Sequence, residues 1–447
     1  SGSSRTALGL LGFHCGITDV LFPDLSWSYE QCFPNVHVVP LTPDLALDVD
    51  AMIARLERLC QADPTWPDHG AVAINNPHNA TGRIFAEADV SRLMTWCLQQ
   101  RIYVIDDLAY QNVAPVDGLP VIKTARQIAS DLVRSGALTS EQTERVISVH
   151  SMSKTDCLAG ARLSVVEIPE TELREKFRRL NDLMEPNLVA IFIVYLFYRG
   201  PLEGARTYWR MRNALFKERS EALLSASENL PPDRNPFGLK IIPPSGSMYP
   251  LLRVSHLPGG LSLDWLASSL ARRGIGLLPL ATFARTEEGF DTGRSTFRLT
   301  LGGVDPAEVM QVKARRLLID LNRMISEEDA RYNRKQLRFQ LPANQNGHVA
   351  ARLQQWDELT RGLLRHFEAD SAFQAFQRLP AVDPQRLRQD FVKEYLPERL
   401  DLFRTRLRER AFINDELMHK AAADGDWLAE RLEREFMKDS LARRQEL

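Results

Sequence analysis

Two features of this 447-residue chain predict an α/β fold with a mostly parallel central sheet flanked by helices. Short apolar runs of strand length alternate with amphipathic stretches of helical period, the pattern of strands joined by crossover helices. Polar strings follow those runs directly, and open α/β sheets bind ligands beyond the carboxyl ends of their strands.

The expected strands are Val20-Leu21-Phe22, Val36 to Val39, Ala71 to Ile74, Tyr103-Val104-Ile105, Val146 to Val149 and Arg162 to Val166. Helices are expected over Asp50 to Cys60 and Ala88 to Gln99, and a long helical stretch over Glu170 to Ser227. Leu230-Pro231-Pro232 and Ile242-Pro243-Pro244-Ser245-Gly246 punctuate the chain there. The expected division is a large domain over 1–228, a small α/β domain over 229–335 and an all-α extension over 345–447. The extension is read from helical spacing at Leu353, Trp356, Leu359, Leu363 and Phe367, and from an N-cap at Asp383-Pro384. Its one Glu-x-x-His, Glu416 to His419, with His366 elsewhere, falls short of the paired motifs a carboxylate metal site needs. No metal is expected, and the extension is read as an assembly or docking domain.

Basic and acidic residues number 56 and 58, so charge points to neither nucleic acid nor an anionic membrane. No apolar run reaches the roughly 20 residues of a membrane span, and no signal peptide is visible. The cysteines, Cys15, Cys32, Cys60, Cys97 and Cys157, are odd in number, scattered and never in Cys-x-x-Cys. A disulfide framework or zinc site is not expected, and a reducing cytoplasm fits.

Chemistry concentrates in a few strings. Ser151-Met152-Ser153-Lys154 is followed by Gly160 and Arg162. A lysine among hydroxyls with an arginine downstream suits a phosphorylated aldehyde: the amine forms a Schiff base, and the hydroxyls and guanidinium hold the phosphate. Asp106-Asp107-Leu108-Ala109-Tyr110 ends a strand, where a carboxylate can pair with a protonated pyridine nitrogen and a tyrosine can donate to a ring phenolate. Asn75-Asn76-Pro77-His78-Asn79-Ala80-Thr81-Gly82 offers an asparagine amide beside such a ring. Gly2-Ser3-Ser4 opens a helical pattern, a backbone cradle for phosphate. Trp27 and Tyr29 supply aromatic faces. Arg298, alone in an apolar strand, can grip a carboxylate with two parallel hydrogen bonds.

In this order the strings resemble the class I/II aminotransferases, the fold type I enzymes that use pyridoxal 5′-phosphate. The resemblance runs from residue 1 to about residue 325 and leaves the extension outside it. It implies that Lys154 is the Schiff-base lysine and proton shuttle, that Asp107 pairs with the pyridinium nitrogen, and that Tyr110 and Asn79 hold the ring hydroxyl. It implies a phosphate site of Gly2, Ser3, Ser4, Ser151, Ser153 and Arg162, with Trp27 stacked on the ring. It implies that Arg298 binds the substrate α-carboxylate, with Asn79 and Trp27 beside it. Asp107 is preferred to Asp106 because only Asp107 lies three residues before Tyr110. The implied activity moves an amino group between an α-amino acid and a 2-oxo acid, in a homodimer with a shared active site. The same cofactor chemistry also serves decarboxylation, elimination or C–C condensation, and aminotransferase-like domains also occur as ligand-sensing modules.

Departures from the family pattern are Ala80 and Leu25 at positions usually held by proline, Ser164 where glycine is usual, and Asp156-Cys157 where an aromatic and a glycine are usual. Ala80 removes the favoured context for a cis peptide bond there. The family also has a long segment before the phosphate loop. Its absence here is read as a fragment, or as a part supplied by another chain.

Overall fold

The computed structural model describes residues 1–184, 187–258, 263–271 and 275–338. The readings on 345–447, including Glu416, His419 and His366, lie outside the described residues. By internal packing the chain forms two units, Ser1–His256 with Ser262–Asn322, and Leu257–Leu261 with Arg323–Leu447. Both sheets belong to the first.

Helix α1 (Ser4–Phe13) opens the chain, followed by β1 (Asp19–Pro23), β2 (Asn35–Val39), α2 (Val49–Ala62), α3 (Trp66–His69), β3 (Gly70–Ile74), α4 (Glu87–Gln99), β4 (Tyr103–Leu108) and α5 (Ala125–Arg134). Then come β5 (Val146–Ser151), α6 (Met152–Thr155), β6 (Ser164–Glu167), α7 (Thr171–Asp182), α8 (Leu188–Tyr198) and α9 (Leu202–Glu228). The large sheet has the order β2-β1-β3-β4-β5-β6. All its pairs are parallel except β5 with β6.

Strands β1, β3 and β4 are buried along their whole length, as expected where helices cover both faces. Alternation along the strands sorts the core into two layers. Leu21, Val72, Ile74, Val104 and Val146 pack with α2, α4 and α5. Val20, Phe22, Ala71, Ala73, Ile105, Ile147 and Val149 pack with α1 and α7. This sorting sends Asp106 and Asp107 to opposite faces. Each expected strand of the first 170 residues is present, with ends shifted by at most three residues. The helical stretch from Glu170 breaks into three, with a fresh cap at Asn187 and a break before Pro201, which has no N–H to continue a helix.

The small sheet joins β7 (Leu239–Ile242), β8 (Leu251–Val254), β9 (Leu278–Pro279) and β10 (Thr296–Arg298) in the order β7-β8-β10-β9, every pair antiparallel. Helices α10 (Leu263–Ala271) and α11 (Glu287–Gly293) intervene, and α12 (Ala307–Arg338) follows. The joint between the sheets is polar and local. Buried Asp24, at the end of β1, accepts from the backbone N–H of Leu25 (2.7 Å), Arg285 (2.8 Å) and Thr286 (2.9 Å) and from the Thr286 hydroxyl (2.5 Å). Arg285 donates to both carboxylate oxygens of Glu30, at 2.9 and 3.0 Å. These bonds hold the Phe283–Thr286 segment against the end of β1. Leu25 itself sits at φ 54. A proline ring fixes φ near −65°, so the local backbone explains why proline does not stand there.

Candidate active site

Asp107 points to the α1 face at the carboxyl end of β4. Its Oδ2 accepts from the Tyr29 hydroxyl at 2.9 Å, while Oδ1 is buried with no hydrogen-bond partner among the described residues. Burial pushes its carboxyl up to about 6, and the Tyr29 hydroxyl and the Ala109 backbone N–H pull the other way. Asp106 points to the opposite face, where Oδ2 accepts the Ala125 N–H at the start of α5 at 2.7 Å. Asp106 therefore caps a helix, and the spacing rule that preferred Asp107 matches the strand's alternation.

Asn75 ties two predicted elements together. Its amide donates to the Asp107 carbonyl at 2.8 Å, and its Oδ1 accepts the Asn79 N–H at 2.7 Å. Asn79 Oδ1 in turn accepts from Arg298 Nη1 at 2.9 Å. The Arg298 guanidinium lies over the rings of Tyr249 (4.2 Å) and Phe283 (4.4 Å). Tyr249 packs edge-on against Tyr110, centroids 5.7 Å apart. The Tyr110 hydroxyl donates to that of Tyr249 at 3.4 Å, and burial raises the Tyr110 phenol well above its usual range. Asp107, Asn79, Tyr110 and Arg298, from three separate strings, thus form one continuous network.

The turn over 75–85 is shaped from within. His78 is fully buried and accepts or shares a proton with the Thr81 hydroxyl at 2.8 Å. Burial drops its imidazole to about 3, so it is neutral at physiological pH. The Asn76–Pro77 bond is cis, upstream of the Ala80 position considered from sequence. Gly82 sits at φ +66, where a Cβ would approach the Tyr249 carbonyl to 2.5 Å. Only glycine lets the Pro243–Tyr249 segment close on this turn.

Ser1 and Gly2, ahead of α1, lie beside the Arg162–Ser164 segment. Ser1 and Ser164 exchange two hydrogen bonds of 3.0 Å. A Cβ on Gly2 would lie 3.9 Å from the Arg162 carbonyl. Ser3 caps α1 by accepting the Thr6 N–H. Arg162 is exposed, with one bond, to the Ala159 carbonyl at 3.1 Å. Lys154 lies on α6, which occupies the connection between β5 and β6. The pairing Ser151↔Ser164 pins the base of that connection, and Ser151 caps α6. The Lys154 amine has no hydrogen bond or ion pair among the described residues. Trp27 packs edge-on against Tyr29 at 5.4 Å, with the Arg5 guanidinium 5.1 Å from its ring. One face of Trp27 is thus already engaged by a cation.

Sequence reasoning missed Tyr29 as the partner of Asp107, and Tyr249 and Phe283 as the aromatic walls around Arg298. Only Tyr29 carried a signal, as an aromatic beside Trp27. The departure at Asp156 has a local cause: its Oδ1 accepts from the Tyr198 hydroxyl and the Trp209 indole N–H, both at 2.9 Å. Cys157 sits at φ 57, the left-handed region where glycine is at ease.

The donor set fits a phosphorylated pyridine aldehyde. The buried Oδ1 of Asp107, without a partner among the described residues, is an acceptor suited to a ring N–H, and such a bond is costly to leave unmade. An unpaired amine at Lys154, with hydroxyls and Arg162 nearby in sequence, completes the chemical types such a molecule needs.

The fold is the fold type I architecture, a mostly parallel sheet flanked by helices with a small antiparallel sheet after it. Residues 7–315 match the family Aminotransferase class I and II, and the chain belongs to it. A probable aspartate/prephenate aminotransferase of Aquifex aeolicus is 24% identical over 185 residues, 40% of this chain and 41% of that protein. Glutamate–glyoxylate aminotransferase 2 of Arabidopsis thaliana is 27% identical, over 31% of this chain and 28% of its own length. Aspartate aminotransferase of Geobacillus stearothermophilus is 22% identical over 65% of this chain and 68% of that one. The chain thus spans less than half the length of the first two relatives. Among solved structures, an α-aminoadipate aminotransferase of Thermus thermophilus, complexed with N-(5′-phosphopyridoxyl)-L-leucine, superposes with a TM-score of 0.56 at 18% identity. That match covers 73% of this chain and 77% of that one. Kynurenine aminotransferase of Pyrococcus horikoshii gives 0.54 at 19%, over 73% and 74%.

Proposed function

We propose that this chain carries the active site of a pyridoxal-phosphate aminotransferase that moves an amino group between an α-amino acid and a 2-oxo acid. The observation that carries the reading is Asp107, buried, anchored on one oxygen by Tyr29 and open on the other. When bound, the cofactor supplies an electron sink for charge at the substrate α-carbon. In this reading Asp107 keeps its negative charge opposite the ring nitrogen, where a cation would lower its raised pKa. Tyr110 and Asn79 orient the ring hydroxyl. Gly2, Ser3, Ser4, Ser151, Ser153 and Arg162 hold the phosphate, and Trp27 covers the ring. Lys154 anchors the cofactor and carries a proton to and from the α-carbon. Arg298, aimed by Asn79 and walled by Tyr249 and Phe283, takes the α-carboxylate.

The test is co-substrate dependence. Purified protein with pyridoxal phosphate should release the matching 2-oxo acid from an amino acid only when a second 2-oxo acid is supplied. Sustained turnover without one would assign a different reaction.

We also infer a homodimer. Helix α8 is apolar around its whole circumference yet exposes Leu188 (78%), Val189 (68%) and Phe192 (59%). Such a patch is characteristic of an interaction face. No single described helix is long and apolar enough to cross a membrane; α8 and α9 pass only as a pair bent by 97°. Sedimentation should give a dimer, and Phe192→Glu a monomer. The five unpaired cysteines support a reducing, cytoplasmic setting.

A further inference from the structure

Arg212 and Asn213, adjacent on α9, are both buried, at 6% and 0% exposure. Neither belongs to any string read from the sequence. The Arg212 guanidinium donates to the Thr155 carbonyl, one residue after Lys154, and to the Asn112 carbonyl, two residues after Tyr110. It also donates twice to Asn213 Oδ1, at 3.2 and 2.9 Å. The Asn213 amide donates to the Asn112 carbonyl (3.0 Å) and the Gly118 carbonyl (2.9 Å), and its Oδ1 also accepts the Ala114 N–H at 3.4 Å. Between them the two side chains hold the turn that carries Lys154 and the 112–118 loop that leaves Tyr110.

Burial and geometry both favour a role beyond packing. Burying a guanidinium is costly, and the acceptors met here are neutral carbonyls. The carboxylate that acts on Arg212 electrostatically is Asp156, whose own bonds go to Tyr198 and Trp209. An apolar side chain of similar volume would leave the Thr155 and Asn112 carbonyls without this donor, so the guanidinium is what couples the two segments. The bonds also converge on two backbone segments that no strand pairing joins: Lys154 follows β5, while Asn112 lies in an irregular loop at φ 62. Positional error near 1 Å at such groups is expensive in catalysis.

We propose that Arg212 and Asn213 form a positioning unit that fixes the Lys154 turn relative to the Tyr110 loop, so that both reach one bound pyridoxal phosphate. The proposal rests on the reading of Lys154 as the cofactor anchor. The test compares wild type, Lys154→Ala, Arg212→Met, Arg212→Lys and Asn213→Asp. Each is measured for thermal midpoint without cofactor, and for pyridoxal-phosphate dissociation constant and lysine-dependent visible absorbance. Wild type lacking that absorbance, or Lys154→Ala retaining it, removes the underlying reading. With that reading intact, Arg212→Met and Arg212→Lys should bind cofactor about tenfold or more weakly, with a weaker and displaced band. Lysine should not rescue, because an ammonium cannot span both carbonyls in the guanidinium's fork. Asn213→Asp keeps the acceptor beside Arg212 and removes both donors to the loop, so it tests the unit if the Arg212 variants do not fold. Wild-type affinity and spectrum in Asn213→Asp, or in a folded Arg212→Met, would overturn the proposal, since loss of packing alone lowers the midpoint and leaves the band in place.

Discussion

Arg298 donates from Nη1 to Asn79 Oδ1 at 2.9 Å, joining residues 219 apart in sequence. The bond uses one edge of the guanidinium and leaves the remainder, between Tyr249 and Phe283, to meet a carboxylate. Arg298→Lys should therefore raise KM for the amino acid by about 10–100-fold with a smaller change in kcat. Asn79→Ala should raise KM as well. The two together should fall short of additivity by about 1 kcal/mol, because each disturbs the same pair. Steady-state kinetics on the single and double variants provide the cycle, and strict additivity would mean that Asn79 does not aim Arg298.

Tyr29 stabilises the ionised form of Asp107, whose carboxyl burial pushes up to about 6. Removing the hydroxyl in Tyr29→Phe takes away a pull toward lower pKa. The acid limb of cofactor binding, which needs ionised Asp107, should move to higher pH. A pH titration of pyridoxal-phosphate affinity checks this. An unchanged limb, or one moved to lower pH, would show that Tyr29 does not set the charge on Asp107.

Asp106 gives a prediction about stability. Burial raises its carboxyl to about 7, above the 3.8 of an unfolded chain. The folded state therefore favours the proton. The contribution is fully present below about pH 4 and is lost as pH rises toward 7. Asp106→Asn keeps an acceptor for the Ala125 N–H and never ionises. It should stabilise the cofactor-free protein by about 1–3 kcal/mol at pH 8 and by much less at pH 4. Denaturant midpoints at the two pH values decide it, and equal effects at both would contradict the assignment of a buried charge.

Much of the large sheet was legible because its strands are buried on both faces and so read as continuous apolar runs with polar turns between them. Lys154, Asp107 and Asn79 stood out as candidates for a related reason: each sits in a local string at a strand end, where spacing carries the information. The partners were not. Tyr29 meets Asp107 across 78 residues, and Tyr249 reaches Tyr110 across 139. The first depends on the strand order of the large sheet and the second on how the small sheet folds back, and no local pattern encodes either. The breaks in the stretch from Glu170 were only partly visible. Pro201 marks one of them, whereas the cap at Asn187 requires knowing where α8 begins.

The identity of the lysine that holds the cofactor is the most direct test of the whole assignment. The protein should be loaded with pyridoxal 5′-phosphate, reduced with borohydride, digested and read by mass spectrometry. The phosphopyridoxyl group should lie on Lys154, and Lys154→Ala should carry none. A label on another lysine of the folded wild type, or persistence of the label in Lys154→Ala, would contradict it.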